Sequence, residues 1–211
     1  MATNAARVLI VERDLGLGAD ALARLERAGH DVIECVSPGE APMHCKGQPG
    51  QSGCPLDELP ADVVLAVRGD AGGTGTDREG GVRCAMRKSI PVMVVGSTLG
   101  AGYGPSVDAV VDMQDAALAE LVSDLARRGH QEVARRVCLV AHEVLSNCGE
   151  PDVGATATVR READRLLIGI TVDRDIDPRL AQLVAAKAFG AIAGIRPGFD
   201  KVDVGVSTPG D

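Results

Sequence analysis

Residues 7–29, RVLIVERDLGLGADALARLERAG, give the clearest indication of the fold of the N-terminal half. Residues 7–11 carry a short apolar run, which is typical of a parallel strand buried on both faces. The following segment repeats apolar residues at three- and four-residue steps and stops at Gly29, which predicts an amphipathic helix with a glycine C-cap. The stretch therefore indicates a strand followed directly by a helix.

The same alternation continues to about residue 128. Four more strands are predicted, in HDVIECV (30–36), ADVVLAV (61–67), IPVMVVG (90–96) and DAVVDM (108–113). Helices are predicted near 77–88 and over 115–128, and a long loop over 37–59. Alternating strands and helices imply parallel strands joined by right-handed crossovers. We predict an α/β fold, a flavodoxin-like, receiver-like, doubly wound parallel five-stranded sheet.

The remainder, residues 129–211, has a different order of predicted helices and strands. A helix is predicted over 131–147, a β-hairpin over 156–175 and a strand over 201–206. Asp177 followed by Pro178 is a strong helix start, and that helix is predicted to run to about Ile192. The order α-β-β-α-β predicts a small two-layer α+β domain, so we expect two domains, 1–128 and 129–211.

Composition limits the function. The chain has 30 acidic and 22 basic residues, a net charge of −8, no Trp, two Phe and one Tyr. An acidic chain with few aromatic residues is poorly suited to binding nucleic acid. No apolar run approaches the length of a membrane span. We expect a cytoplasmic protein with neither nucleic acid nor membrane as a partner.

The segments VLIVERD, ADVVLAV and SIPVMVVGS resemble the framework of response-regulator receiver domains over about 60% of the chain. That resemblance implies an acidic pair after the first strand, a phosphoacceptor Asp ending the third, a Thr or Ser after the fourth and a Lys ending the fifth. The matching residues are Glu12 with Arg13, Val67, Gly96 (with Ser97 beside it) and Met113. Phosphoryl transfer depends on positioned charge, so the resemblance implies a phosphorylation-incompetent pseudo-receiver.

A dinucleotide site is an alternative use of the first loop. Gly16, Gly18 and Ala21 fit G-x-G-x-x-A, and Glu34 ends the second strand, where an acid can meet a ribose hydroxyl. The residues ERDL separate the first strand from the first glycine and add two carboxylates near the phosphate position. An enzyme that binds a nucleotide in the sheet-edge loops is therefore the weakest of three hypotheses.

Cysteines form the second candidate site. An insertion over about 36–59 carries Cys45, Cys54 and His44, and Cys35 and Cys84 lie in the flanking elements. Thiolates suit zinc and iron–sulfur clusters, so Cys35, Cys45, Cys54 and Cys84 are candidate metal ligands or disulfide partners. No C-x-x-C pair is present, and a loop with ordinary thiols is the alternative. Cys138 and His142 share a helix face, where core packing is favoured for the thiol.

Two functional hypotheses rank above the nucleotide-binding enzyme. The first is a non-catalytic regulatory or adaptor protein, in which the pseudo-receiver binds a protein partner or another copy of the chain. The second is a zinc, iron–sulfur or thiol redox sensor that uses the cysteine insertion. Whether the protein is an enzyme stays open at this point, although the missing phosphoryl-transfer residues favour a binding role.

Overall fold

The computed structural model describes residues 5–14, 16–35, 54–69, 80–96, 107–112, 116–162, 165–193 and 201–209. The chain divides into two compact units, Met1–Arg127 and Arg128–Asp211. Each unit has its own hydrophobic core.

The N-terminal unit is built on one parallel sheet. Its strands are β1 (Arg7–Glu12), β2 (Asp31–Glu34), β3 (Val63–Arg68), β4 (Val92–Gly96) and β5 (Ala109–Val111). The spatial order is β2-β1-β3-β4-β5, and every pairing is parallel. This strand order is that of the flavodoxin-like, receiver-like fold, so the predicted fold class is confirmed.

Helices cover both faces of this sheet, as the continuous apolar strands require. On one face α1 (Ala19–Arg27) and the start of α4 (Leu118–Asn147) pack against Ile10 and Leu65. On the other face α2 (Pro55–Glu58) and α3 (Gly80–Arg87) pack against Val11, Ala66 and neighbouring strand residues. We call these the α1 face and the α3 face.

The helices on the two faces end in the same way but with different residues. After α1, His30 N–H donates to Leu25 O at 3.0 Å, and Gly29 has φ +87°. After α3, Ile90 N–H donates to Ala85 O at 2.9 Å, and Ser89 has φ +52°. The predicted glycine cap at Gly29 is confirmed, whereas α3 places a residue with a Cβ in the left-handed region.

The C-terminal unit has two layers. Its sheet has the order β6-β7-β8, with β6 (Ala155–Glu162) antiparallel to β7 (Arg165–Val172) and β7 parallel to β8 (Lys201–Ser207). The second part of α4 and α5 (Pro178–Ala193) pack on one face, through Val137 and Val184. Asp177 caps α5, because its Oδ1 accepts from Arg179 N–H at 2.8 Å. The predicted small α+β domain is confirmed.

Two elements differ from the prediction. Helix α4 is continuous from Leu118 to Asn147, where two helices, 115–128 and 131–147, are expected from sequence. The short helix α2 occupies the end of the predicted 37–59 loop, because Pro55 suits a first helical turn. Residues 36–53, which hold most of the insertion, lie outside the described residues. Across the described ranges, no helix combines the length and apolar character needed to cross a membrane.

Candidate functional site at the carboxyl edge of the five-stranded sheet

Glu12, the last residue of β1, holds the loop that follows it. Its Oε2 accepts a hydrogen bond from Gly16 N–H at 3.0 Å, and its Oε1 accepts one from Gly18 N–H at 2.6 Å. A Cβ at Gly18 would lie 2.7 Å from Glu12 Oε1, so only glycine allows this close approach. Both oxygens of the one acidic residue that matches the receiver pattern are thus engaged in shaping the loop.

This loop is the one that the dinucleotide alternative requires. In that alternative, Gly16 and Gly18 would present their N–H groups to a pyrophosphate. In the structure, both N–H groups donate hydrogen bonds to the Glu12 carboxylate instead. Glu34 lies at the end of the neighbouring strand, and burial together with the charges of Glu12 and Glu26 raises the pKa of its carboxyl. The α1 face of the edge is therefore acidic and already closed by its own carboxylate, which argues against a phosphate there.

Two arginines, Arg13 and Arg68, lie at the same edge of the sheet. Arg13 N–H donates to Val67 O at 3.1 Å, which extends the β1–β3 ladder by one residue beyond the Glu12–Val67 pair. Arg13 and Arg68 are consequently neighbours across the two central strands. The Arg68 residue is 1% exposed and the Arg13 side chain 14% exposed. Asp14 Oδ2 lies 4.0 Å from Arg13 Nε.

Val67 occupies the position that the resemblance gives to the phosphoacceptor. It is fully buried and pairs in register with Glu12 on β1 and Val95 on β4. Gly96, which ends β4, has φ +95°. Ser97 and Met113, the remaining positions of the receiver pattern, lie outside the described residues. A buried valine followed by a buried arginine thus ends the central strand.

The cysteines Cys35, Cys54 and Cys84 all pack with the α3-face core. A Cβ at Gly81 would lie 2.9 Å from Cys35 Sγ, and Arg87 Nη2 donates to Cys84 Sγ at 3.1 Å. Within the described residues, none of the three is joined in a disulfide. Within the described ranges no group of three or more His, Cys, Asp or Glu side chains is placed to hold a metal ion. Cys45 and His44 lie outside these ranges, so the cysteine site stays a prediction.

The contacts that the structure gives the side chains of Cys138 and His142 are with backbone atoms. His142 Nδ1 lies 2.8 Å from the Cys138 carbonyl oxygen, one turn back along α4. Burial raises the pKa of the Cys138 thiol, which a backbone hydrogen bond from Ala157 partly offsets. A protonated, half-buried thiol is a packing residue and a poor nucleophile.

Sequence reasoning singled out Arg13 only as a departure from the receiver pattern, and it missed Arg68. The signal for Arg68 is present in ADVVLAVR, where a charged residue directly follows an apolar strand. Such a residue lies at the carboxyl edge, where open α/β sheets bind ligands.

The chain is similar to solved structures over its N-terminal part. No family model matches the chain, and no curated protein matches it. Among solved structures, a response regulator protein from Burkholderia multivorans is 18% identical, covers 57% of this chain and 95% of its own, and gives a TM-score of 0.35. A response regulator from Desulfuromonas acetoxidans is 17% identical, with 58% and 94% covered and a TM-score of 0.32. The N-terminal unit is receiver-like in strand order.

Proposed function

We propose that the chain is a non-catalytic regulatory or adaptor protein whose N-terminal unit works without being phosphorylated. The observation that carries this proposal is the pair Arg13 and Arg68 at the carboxyl edge, next to the buried Val67. The receiver resemblance requires carboxylates at this edge, both to hold a divalent cation and to accept the phosphoryl group. Two guanidinium groups repel that cation, and valine offers no nucleophile.

Glu12 supports the same proposal. A magnesium ion at this edge would need Glu12 oxygens that now accept hydrogen bonds from Gly16 and Gly18 N–H. Releasing them would leave the buried Gly18 N–H without its acceptor, at a cost of about 1–3 kcal/mol, whereas the exposed Gly16 N–H can bind water instead. The loop therefore opposes metal binding, in addition to the charge of Arg13.

The partner class follows from the resemblance rather than from a contact in this chain. Receiver-like domains act through protein surfaces, so we propose a protein partner, either a different chain or a second copy of this one. The acidic net charge of −8 disfavours nucleic acid as that partner. Light scattering over a concentration series distinguishes a second copy from a different chain. A molar mass that stays at the monomer value at every concentration favours a different chain as the partner.

Treatment with a small phosphodonor tests the non-catalytic role. The full chain is incubated with acetyl phosphate and Mg²⁺, beside a phosphorylatable receiver as positive control, and both are measured by intact mass. We expect the control to gain a phosphoryl group and this chain to keep its mass. A phosphoryl adduct that is labile in alkali, as an aspartyl phosphate is, would contradict the proposal.

A further inference from the structure

Helix α5 of the C-terminal unit is apolar on both of its faces. Its inner face belongs to the core through Val184, Ala188 and Ile192, which are buried. On the opposite side, Leu183 is 40% exposed and Phe189 is 47% exposed. With these two, the exposed residues that follow one another along this side form what we call the outer α5 face: Gln182, Leu183, Ala186, Phe189, Gly190 and Ala193.

An apolar outer face is unusual for a surface helix. The second part of α4 packs on the same sheet and shows the ordinary arrangement, because its exposed Leu139 has the exposed charged residues Arg135, Arg136 and Glu143 as neighbours one turn away. The outer α5 face contains no charged residue, and Lys187 lies at its margin. A helix that is apolar all round is normally buried, so we expect another surface to cover this face.

The spacing of the large residues on the outer α5 face suits a second copy of the same helix. Leu183 lies three residues before Ala186, and Phe189 lies three residues after it. Two antiparallel α5 helices related by a two-fold axis at Ala186 therefore bring Leu183 of each copy opposite Phe189 of the other. No atom of the described residues lies within 4 Å of a Cβ built at Gly190, so there is room for a close approach.

The charges along α5 suit the same antiparallel arrangement. Arg179 is exposed in the first turn, seven residues before Ala186, and Ala193 ends the helix seven residues after it. The arrangement thus brings Arg179 of one copy to the last turn of the other. That turn contains no basic residue within α5, and its carbonyl groups carry a partial negative charge. The two ends are therefore complementary in charge.

We propose that the outer α5 face binds a second copy of this chain, with the two α5 helices antiparallel. A helix of 16 residues is about 24 Å long and about 10 Å wide, so the contact is smaller than the roughly 800 Å² per partner of stable complexes. We therefore expect a dimer that depends on concentration. The net charge of −8 disfavours an anionic lipid surface as the cover. This inference rests on the proposed binding function and narrows its partner to a second copy.

Sedimentation velocity over a concentration series tests the dimer. We expect the full chain to change from monomer to dimer mass as its concentration rises. Phe189→Glu and Leu183→Glu should each weaken dimerisation about tenfold or more, because a two-fold interface receives the new charge twice and removes it from water. Both positions are exposed, and glutamate is a good helix former. Circular dichroism shows that each variant is folded.

Two further variants make the test specific. Leu139→Glu places the same charge at an exposed leucine of α4 and should leave dimerisation unchanged. Ala186→Cys tests the arrangement, because a short bismaleimide should join the two copies through this position at the two-fold axis. Peptide mass spectrometry separates that link from links through the native cysteines. Leu139→Cys is the matched control and should give no link between copies at its own position.

Four results overturn the inference: monomer mass at every concentration, a dimer that Phe189→Glu and Leu183→Glu leave unchanged, equal weakening by Leu139→Glu, or no link through Ala186→Cys. Monomer mass throughout would favour a different protein as the cover of the outer α5 face. All four leave the proposed function intact if acetyl phosphate gives no covalent adduct. A covalent adduct contradicts the proposed function whatever the oligomeric state, so the two failures are distinguishable.

Discussion

At the scale of single residues, Ser89 is the clearest point of backbone strain. It holds φ +52° after α3, where Gly29 holds φ +87° after α1 with the same pattern of backbone hydrogen bonds. An L residue with a Cβ pays a steric cost in the left-handed region, about 1–2 kcal/mol. Glycine avoids this cost but loses more backbone entropy on folding.

We expect Ser89→Gly to raise the free energy of unfolding by about 0.5–1 kcal/mol, the steric relief less the entropy of glycine. Ser89 is exposed, so the substitution removes little packing. Gly29→Ser is the matched control and should lower stability, because no atom lies near its added Cβ and only φ is strained. Urea unfolding of both variants measures the difference; a Ser89→Gly variant of lower stability contradicts the prediction.

Some residues of the candidate site could be predicted from the sequence, and others could not. The strand assignment placed Glu12 and Val67 at the carboxyl edge, because apolar runs mark buried parallel strands clearly. The role of Glu12 was not predictable, since it depends on hydrogen bonds from Gly16 and Gly18 across a turn. Arg68 was missed because a charged residue after a strand is ordinarily a solvated loop residue, and only the three-dimensional packing buries it.

At the scale of elements, helix α4 shows why a boundary failed. Gly129 lies where two helices were expected to separate, yet glycine costs only about 1 kcal/mol in a helix interior. One turn further on, Glu132 accepts hydrogen bonds from Arg135 at 2.9 Å and from Arg136 at 3.0 Å. The Glu132 ion pairs, together with the packing of α4 before and after Gly129, therefore outweigh the cost of one glycine. A rule that takes every glycine as a helix end gives the wrong result here.

The ion pairs of Glu132 with Arg135 and Arg136 predict that stability depends on pH. The hydrogen bonds from Arg135 and Arg136 lower the pKa of Glu132 from 4.5 to about 2. A carboxyl whose pKa is lower in the folded state stabilises that state above the unfolded pKa, and the contribution is lost as pH falls from 4.5 toward 2. Glu132 is about half exposed, so salt screens the effect and its share of stability is small.

Carboxyl ¹³C NMR over a pH series measures the pKa of Glu132 directly. We expect Glu132 to titrate near 2 in the original chain and closer to 4.5 when both arginines are replaced by glutamine. Added salt should move the original midpoint upward, because the interaction is at the surface. A midpoint near 4.5 in the original chain at low salt would show that the pairs do not form in solution.

At the scale of the whole molecule, the domain division remains a proposal that the separate cores support. Leu65 belongs to the α1-face core of the N-terminal unit, and Ile170 to the core of the C-terminal unit. Both are fully buried, so truncating either to alanine should cost about 2–5 kcal/mol. If the units unfold separately, each loss of stability stays in its own unit.

Native-state hydrogen exchange with mass spectrometry locates that loss. We expect Leu65→Ala to reduce protection in β1–β5 and to leave β6–β8 unchanged, and Ile170→Ala to do the reverse. Leu139→Ala, at an exposed position of α4, is the control and should change little. Within α4, peptides around Leu125 should follow the first variant and peptides around Val133 the second, because these residues belong to different cores. Equal losses in both sheets from either variant would show instead that α4 joins the two units into one cooperative structure.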